Sequence, residues 1–167
     1  VVTGGAGFIG SHLVKHLLSE GHDVTIIDNM YRGRLSNLHG FLEKINLVQL
    51  DILEYEKLRN YIKNADGIFH QAALTSVVES YQKQSEYHKV NVIGTENIFK
   101  IAKEFSIKVV YASSSSVYGN ITKIPITETF DRKPINPYGK TKLDDEYLSE
   151  NFVKSGSEII GLRYFNV

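Results

Sequence analysis

The stretch Val1-Val2-Thr3-Gly4-Gly5-Ala6-Gly7-Phe8-Ile9-Gly10-Ser11-His12 decides how the rest of the chain is arranged. The two valines read as the end of a buried strand, and Gly4, Gly7 and Gly10 follow at a spacing of three. Behind them Ile9, Leu13, Val14, Leu17 and Leu18 recur along one side of a helix. A strand, a glycine turn and a helix form the backbone arrangement that wraps a pyrophosphate. Gly4 can take the angles of a tight turn, Gly7 lacks the Cβ that would keep phosphates away, and Gly10 lets the helix lie against the strand. The helix N-terminus adds free N–H groups and a positive dipole end. The spacing here is G-x-x-G-x-x-G rather than G-x-G-x-x-G, and a glycine turn can also join strand to helix for structural reasons alone.

Composition narrows the partners. With 167 residues, 42% hydrophobic and 23% charged, the chain suits one domain with a proper core. Nineteen basic and nineteen acidic side chains cancel, and no basic stripe argues for nucleic acid. The absence of cysteine excludes a disulfide framework and thiolate metal sites, and fits a reducing, cytoplasmic compartment. No apolar run approaches membrane-spanning length, so no membrane partner is expected. Residue 1 is not Met and lies close to the glycine turn, which leads us to expect a segment of a longer protein, with any targeting peptide missing.

Working outward, Asp23 to Asp28 reads as the second strand. Asp28 closes it 18 residues after Gly10, where a carboxylate can accept both hydroxyls of an adenosine ribose and repel a 2′-phosphate, which favours NAD over NADP. Arg32 and Arg34 lie near enough to weigh the other way. A short helix is expected over Ser36 to Lys44, a strand over Asn46 to Leu50, a helix over Glu54 to Lys63 and a strand over Ala65 to His70. A long helical stretch follows from Gln84 to Phe105, interrupted by Asn91 and Gly94, then a strand from Ile107 to Ala112 and a serine run from Ser113 to Ser116. Ile121 to Pro134 reads as loop, Asn136-Pro137 starts a helix to about Lys154, and Ile159 to Leu162 is a last strand. Six alternations of strand and helix mean a doubly wound parallel sheet with right-handed crossovers. The glycine turn, Asp28, Asp51, Ala72-Ala73 and the serine run all fall at carboxyl ends of strands, where such sheets bind ligands. The six histidines show no metal-ligand spacing, so no metal site is assigned.

Tyr138 and Lys142 are four apart on one helix and face the same way. A free phenol has a pKa of about 10, too high for a base at neutral pH. A neighbouring ammonium and an oxidised nicotinamide ring would favour the phenolate, which could then take a proton from a substrate hydroxyl. Ser114, at a strand end, could hold that hydroxyl. Tyr and Lys at this spacing also occur on solvated helix faces; their place after a dinucleotide fold favours catalysis.

These residues resemble those of the extended short-chain dehydrogenases/reductases, in particular their nucleotide-sugar epimerases. The resemblance rests on Thr3 to Gly10, Asp28-Asn29, Asp51-Ile52, His70 to Ala73, Asn91 to Thr95, Ser113 to Gly119, Tyr138 to Lys142 and Arg163 to Val167, and so covers the whole chain. It implies an α/β fold, a Rossmann-type doubly wound parallel sheet lacking most of the C-terminal substrate-binding part, with residues 1–167 forming one NAD-binding domain. The cofactor implied is NAD, with the phosphates at Gly4, Gly7, Phe8, Ile9 and Gly10, the adenosine at Asp28, Asn29, Asp51 and Ile52, and the dinucleotide lined by Gln71, Ala72, Ala73, Thr75 and Asn91. Tyr138, Lys142 and Tyr164 would border the nicotinamide side. Ser114, Tyr138 and Lys142 would be catalytic, and Ser114, Ser115, Tyr138 and Asn166 would meet the sugar nucleotide.

The reaction implied is epimerisation at carbon 4 of a UDP-sugar by transient oxidation to a 4-ketosugar. UDP-glucose/UDP-galactose comes first, then UDP-N-acetylglucosamine or UDP-glucuronate. Related dehydratases and decarboxylases carry an acid before Val-Tyr-Gly where this chain has Ser115 and Ser116, and serine has no carboxyl for that work. Thr75 stands where some epimerases place a cofactor-binding Lys. The family also implies a homodimer for the full-length protein. A non-catalytic NAD sensor would be free to lose Tyr138 or Lys142, and a net reductase would favour a 2′-phosphate site that Asp28 opposes.

Overall fold

The computed structural model describes residues 1–167 as one six-stranded parallel sheet in the order β3-β2-β1-β4-β5-β6. The strands are β1 (Val2–Thr3), β2 (Val24–Asp28), β3 (Ile45–Gln49), β4 (Gly67–His70), β5 (Lys108–Ser114) and β6 (Ile159–Tyr164). The helices are α1 (Phe8–Ser19), α2 (Tyr55–Ile62), α3 (Val77–Gln82), α4 (Gln84–Tyr87), α5 (Gly94–Phe105) and α6 (Pro137–Lys154). Register pairs Val2 with Ile26 on one side and with Phe69 on the other. The connections run outward in opposite directions from β1 and β4, so a crevice opens between those strands at their carboxyl ends.

Strand alternation builds two cores from one sheet. Ile26, with Val2, Ala6 and Val14, packs under α1, while its neighbour Ile27 joins Leu58, Ile62, Ile68, Ile98, Phe99 and Ile101 under α2 and α5. Apolar cover on both faces is why the strands read as runs of Val and Ile rather than as alternating ones. Phe99 sits edge-on to both Tyr111 and Phe152, which ties α5, β5 and α6 together. No helix is long and apolar enough to cross a membrane.

Four expectations are revised. The short helix over Ser36 to Lys44 is two 3-10 turns, Leu35–Leu38 and Leu42–Lys44, separated by Gly40 at φ +87°. The long helix from Gln84 contains a wide π turn, His88–Ile93, because the buried Asn91 amide is drawn to the backbone of Leu74. An additional helix, α3, precedes it. Ser76 caps it by accepting from the Glu79 N–H at 3.2 Å, and this Ser-x-x-Glu signature was readable in Ser76 to Glu79. β5 runs two residues beyond Ala112, so Ser113 and Ser114 belong to the strand.

Candidate active site

The glycine turn is tightly enclosed. Gly4 has φ +67°, its N–H donates to the Ile27 carbonyl at 2.8 Å, and a Cβ there would lie 2.7 Å from the Ala72 nitrogen. A Cβ on Gly10 would lie 2.2 Å from the Gly4 carbonyl oxygen, so α1 rests directly on the turn. Gly7 differs: its Cβ would meet only the Gly4 oxygen, at 3.2 Å, and Gly7 lines the cleft. Gly7 is the N-cap of α1, no side chain caps that end, and the first turn holds no acid. The Phe8 and Ile9 N–H groups find no acceptor in the protein. A twelve-residue helix thus presents bare donors and its positive end to the cleft, as a pyrophosphate requires.

At the end of β2, Asp28 is buried and braces both neighbouring loops. Its Oδ2 accepts from the Ala6 N–H at 3.0 Å, and its Oδ1 from the N–H of Met30, a residue with φ +62°, at 2.8 Å. Each carboxylate oxygen keeps a lone pair for a ribose hydroxyl. Asn29 is a brace as well: its amide donates to Asp51 Oδ2 at 2.9 Å and accepts from the Tyr31 N–H at 3.0 Å. Asp51 in turn accepts from the Leu53 N–H, and the Asn97 amide holds the Ile52 carbonyl at 3.0 Å. The guanidinium of Arg32 pairs with Glu79 of α3 at 2.5 Å across the cleft mouth. That pairing, not an open anion site beside Asp28, is where its charge goes.

At the other end of the cleft stand Ser114, Tyr138 and Lys142. Ser114 Oγ accepts from the Ser116 N–H at 3.1 Å, opening the 3-10 turn Ser115–Tyr118 and leaving its hydroxyl proton free to donate. Tyr138 enters on the first turn of α6, where Asn136 caps the helix and Pro137 starts it. Its backbone N–H donates to Ser80 Oγ at 3.2 Å, while its phenol hydroxyl has no partner in the protein. Lys142 is 3% exposed, and its Nζ lies 3.2 Å from Asp145 Oδ2. Burial pushes the Asp145 carboxyl up to about 7, against the opposing pull of Lys142. Gln71 Nε2 donates to the Tyr164 hydroxyl at 3.4 Å, linking the ends of β4 and β6.

The cleft measures about 670 Å³, within the usual range for a ligand site. Gly4, Gly7, Phe8, Ile9, Gly10, Asp28, Asn29, Asp51, Ile52, Gln71, Ala72, Ala73, Thr75, Ser114, Tyr138, Lys142, Tyr164 and Asn166 all line it. Two candidates do not. Asn91 is 0% exposed; its oxygen takes the Leu74 N–H, and its nitrogen donates to the Leu74 carbonyl and to Thr141 Oγ1. With its side-chain amide committed inside the protein, it fastens the loop after β4 to α6. Ser115 lies one residue past the cleft wall, in the turn that Ser114 opens.

His70 is likewise structural. Its Nδ1 meets Thr3 Oγ1 at 2.6 Å and its Nε2 meets Thr95 Oγ1 at 2.9 Å, so it ties β1, β4 and α5 together. Burial, and secondarily the charge of Lys142, lowers its pKa from 6.5 to about 3. Below pH 6.5 the unfolded chain takes up a proton that the folded one refuses, so stability falls as the pH drops from 6.5 towards 3. At pH 5 the loss from this one group is about 2 kcal/mol. Between pH 7.5 and pH 5, urea unfolding of the wild type should lose about 2 kcal/mol more stability than that of His70→Gln; equal pH dependence in both would refute this assignment.

Among known proteins, the model of the NAD dependent epimerase/dehydratase family matches residues 1–167. The chain is 37% identical to UDP-glucose 4-epimerase uge1 of Schizosaccharomyces pombe, over 99% of this chain and 50% of that protein. It is 35% identical to a UDP-N-acetyl-alpha-D-glucosaminuronate decarboxylase of Bacillus cytotoxicus, over 100% of this chain and 54% of that protein. Among solved structures, the UDP-N-acetylglucosamine 4-epimerase of Methanobrevibacter ruminantium M1, in complex with UDP-N-acetylmuramic acid, superposes with a TM-score of 0.94 at 37% identity, over 99% of this chain and 54% of that one. The chain therefore spans about half the length of the relatives it matches. A family model that matches residues 1–167, on a backbone that superposes closely on a solved epimerase, makes this chain a member of the NAD dependent epimerase/dehydratase family.

Proposed function

We propose that residues 1–167 form the NAD-binding domain of a nucleotide-sugar 4-epimerase, and that the full-length protein interconverts UDP-glucose and UDP-galactose. The observation that carries this is the single cleft: bare helix donors, a buried ribose-facing carboxylate and an unpartnered tyrosine hydroxyl beside a buried lysine line one 670 Å³ space. NAD, when bound, would supply the acceptor and donor of the carbon-4 hydride. The chain's own residues do the rest. Ser114 donates its free hydroxyl proton to the sugar oxygen, and Tyr138 takes the proton from the 4-hydroxyl and gives it back. Lys142 holds the ribose beside them and favours the charged phenolate. The 4-ketosugar formed in between turns over in the site, so there is no net redox.

Ser115 and Ser116 support an epimerase over a dehydratase or decarboxylase, since neither position offers a carboxyl for proton transfer. UDP-N-acetylglucosamine and UDP-glucuronate are the next substrates to compare. A cytoplasmic location and a homodimer of the full-length protein belong to the same proposal, the dimer isologous through α5 and α6.

Carbon-4 deuterated UDP-glucose tests the chemistry. Deuterium is expected to slow turnover and to stay on carbon 4 of the product; washout into solvent would count against a returned hydride. The segment 1–167 alone is expected to bind NAD+ weakly and not to turn over, because it spans only about half the length of the enzymes it resembles; robust epimerisation by the segment would contradict this. For cofactor choice, Asp28→Ala in the full-length protein should weaken NAD+ binding about ten- to a hundredfold and shrink the preference over NADP+, as loss of a charged acceptor predicts. Calorimetric titration with both dinucleotides measures it, and an unchanged preference would remove Asp28 from the ribose site.

A further inference from the structure

Lys142 lines the cleft with a buried partner behind it. One turn further along α6, Asp145 is 0% exposed and pairs with it at 3.2 Å. The other carboxylate oxygen, Oδ1, is buried without a well-formed hydrogen bond, and the Thr95 hydroxyl faces the carboxyl. A buried ion pair repays its desolvation only when both groups are fully hydrogen-bonded, so an incomplete one is a poor device for stability. Around it stand few charges. From α5 comes the Thr95 hydroxyl, from β4 the neutral His70 bonded to that hydroxyl, and from β5 the protonated phenol of Tyr111. On α6 itself are Asp144, which adds a weaker negative charge, and Glu146, whose charge is already taken by Arg163 and Arg132. Lys142 is the only cation within reach of Asp145, and Asp145 is the only ion-pair partner of Lys142.

We propose that Asp145 is a positioning residue for Lys142, holding its ammonium against α6 and offsetting part of its charge, so that the pair sets how strongly Lys142 acts on Tyr138 and on the cofactor ribose. This rests on the roles proposed for Tyr138 and Lys142. An ammonium has three donors, and one directed at Asp145 leaves two for the cleft. A carboxyl that ionises near neutrality makes the offset dependent on pH. Above about pH 7 Asp145 is charged and opposes the Tyr138 phenolate; below it, the opposition fades. The wild type therefore approaches its plateau rate through two coupled ionisations.

Asp145→Asn in the full-length protein keeps the volume and removes the charge. The pH at which kcat reaches half its plateau should then fall by about half a unit or more, and the approach should narrow to one ionisation. NAD+ should raise the melting temperature more in Asp145→Asn than in the wild type, because the freed ammonium turns fully to the ribose. In ligand-free melts the substitution should destabilise the wild type and stabilise Lys142→Met, where Asp145 has lost the cation beside it and must take up a proton to stay buried. An unchanged pH profile and NAD+ response, with only a lower melting temperature, would overturn the proposal and leave Asp145 structural. If Asp145→Asn does not fold, the carboxyl carbon of Asp145 is followed by NMR in the wild type. It should titrate at a different pH with NAD+ bound than without, and identical titrations would overturn the proposal. A wild type inactive on every nucleotide-sugar would sink the epimerase reading, while the melting and NMR comparisons would still decide the role of Asp145.

Discussion

Tyr138→Phe in the full-length protein should lower kcat about a thousandfold while leaving NAD+ affinity within about threefold of the wild type. The reasoning is local. The tyrosine hydroxyl has no partner in the protein, so its removal breaks no internal bond, and the backbone N–H that anchors the residue to Ser80 is untouched. The aromatic ring keeps its place on the first turn of α6, and the cofactor contacts of the glycine turn lie at the far end of the cleft. Only proton transfer is lost. Steady-state rates with UDP-glucose, set beside NAD+ titrations of the same sample, separate the two effects. A variant that keeps a tenth of the activity would show that Tyr138 is not the base, and a sensor protein would be indifferent to the change.

The second large effect falls on the other end of the cleft. Gly10→Ala should cost about 3 kcal/mol of stability and weaken NAD+ binding at least about a hundredfold. An added Cβ would lie 2.2 Å from the Gly4 oxygen and 2.8 Å from the Gly5 Cα, both backbone atoms that cannot swing aside. The helix must therefore move off the strand, taking the Phe8 and Ile9 donors with it. Gly67→Ala is the control: its Cβ would come no closer than 3.9 Å to anything, so folding and binding should hold. Equal behaviour of the two variants in urea unfolding and NAD+ titration would mean that the tight turn is not what positions the phosphates.

Much of this was legible in the residues because it depends on local rules. Glycines at 4, 7 and 10, an acid at the end of β2 and a Tyr-Lys pair one turn apart each carry their geometry with them, and the six alternations of strand and helix fix a parallel sheet. What failed to show depends on contacts distant in sequence. The side-chain amide of Asn91 bonds to Leu74 and Thr141, 17 and 50 residues away, and no local spacing encodes those partners. That same pull widens the helix into a π turn, which no local periodicity encodes. The role of Asp145 is invisible in the spacing, since an acid three residues after a lysine is ordinary on a solvated helix; only its burial beside Lys142 sets it apart. The α3 helix is a different case. Its Ser76–Glu79 cap was present in the sequence, and a helix of six residues is simply too short to announce itself by periodicity.

The most direct test of the account is proton NMR of the anomeric region of UDP-glucose mixed with the full-length protein and no added cofactor. A growing UDP-galactose signal, without accumulation of a reduced cofactor, is the predicted result, because the hydride returns to the carbon it left. If UDP-glucose, UDP-N-acetylglucosamine and UDP-glucuronate all stay unchanged, even with added NAD+, or give a dehydrated or decarboxylated product instead, the chain does not belong to a 4-epimerase.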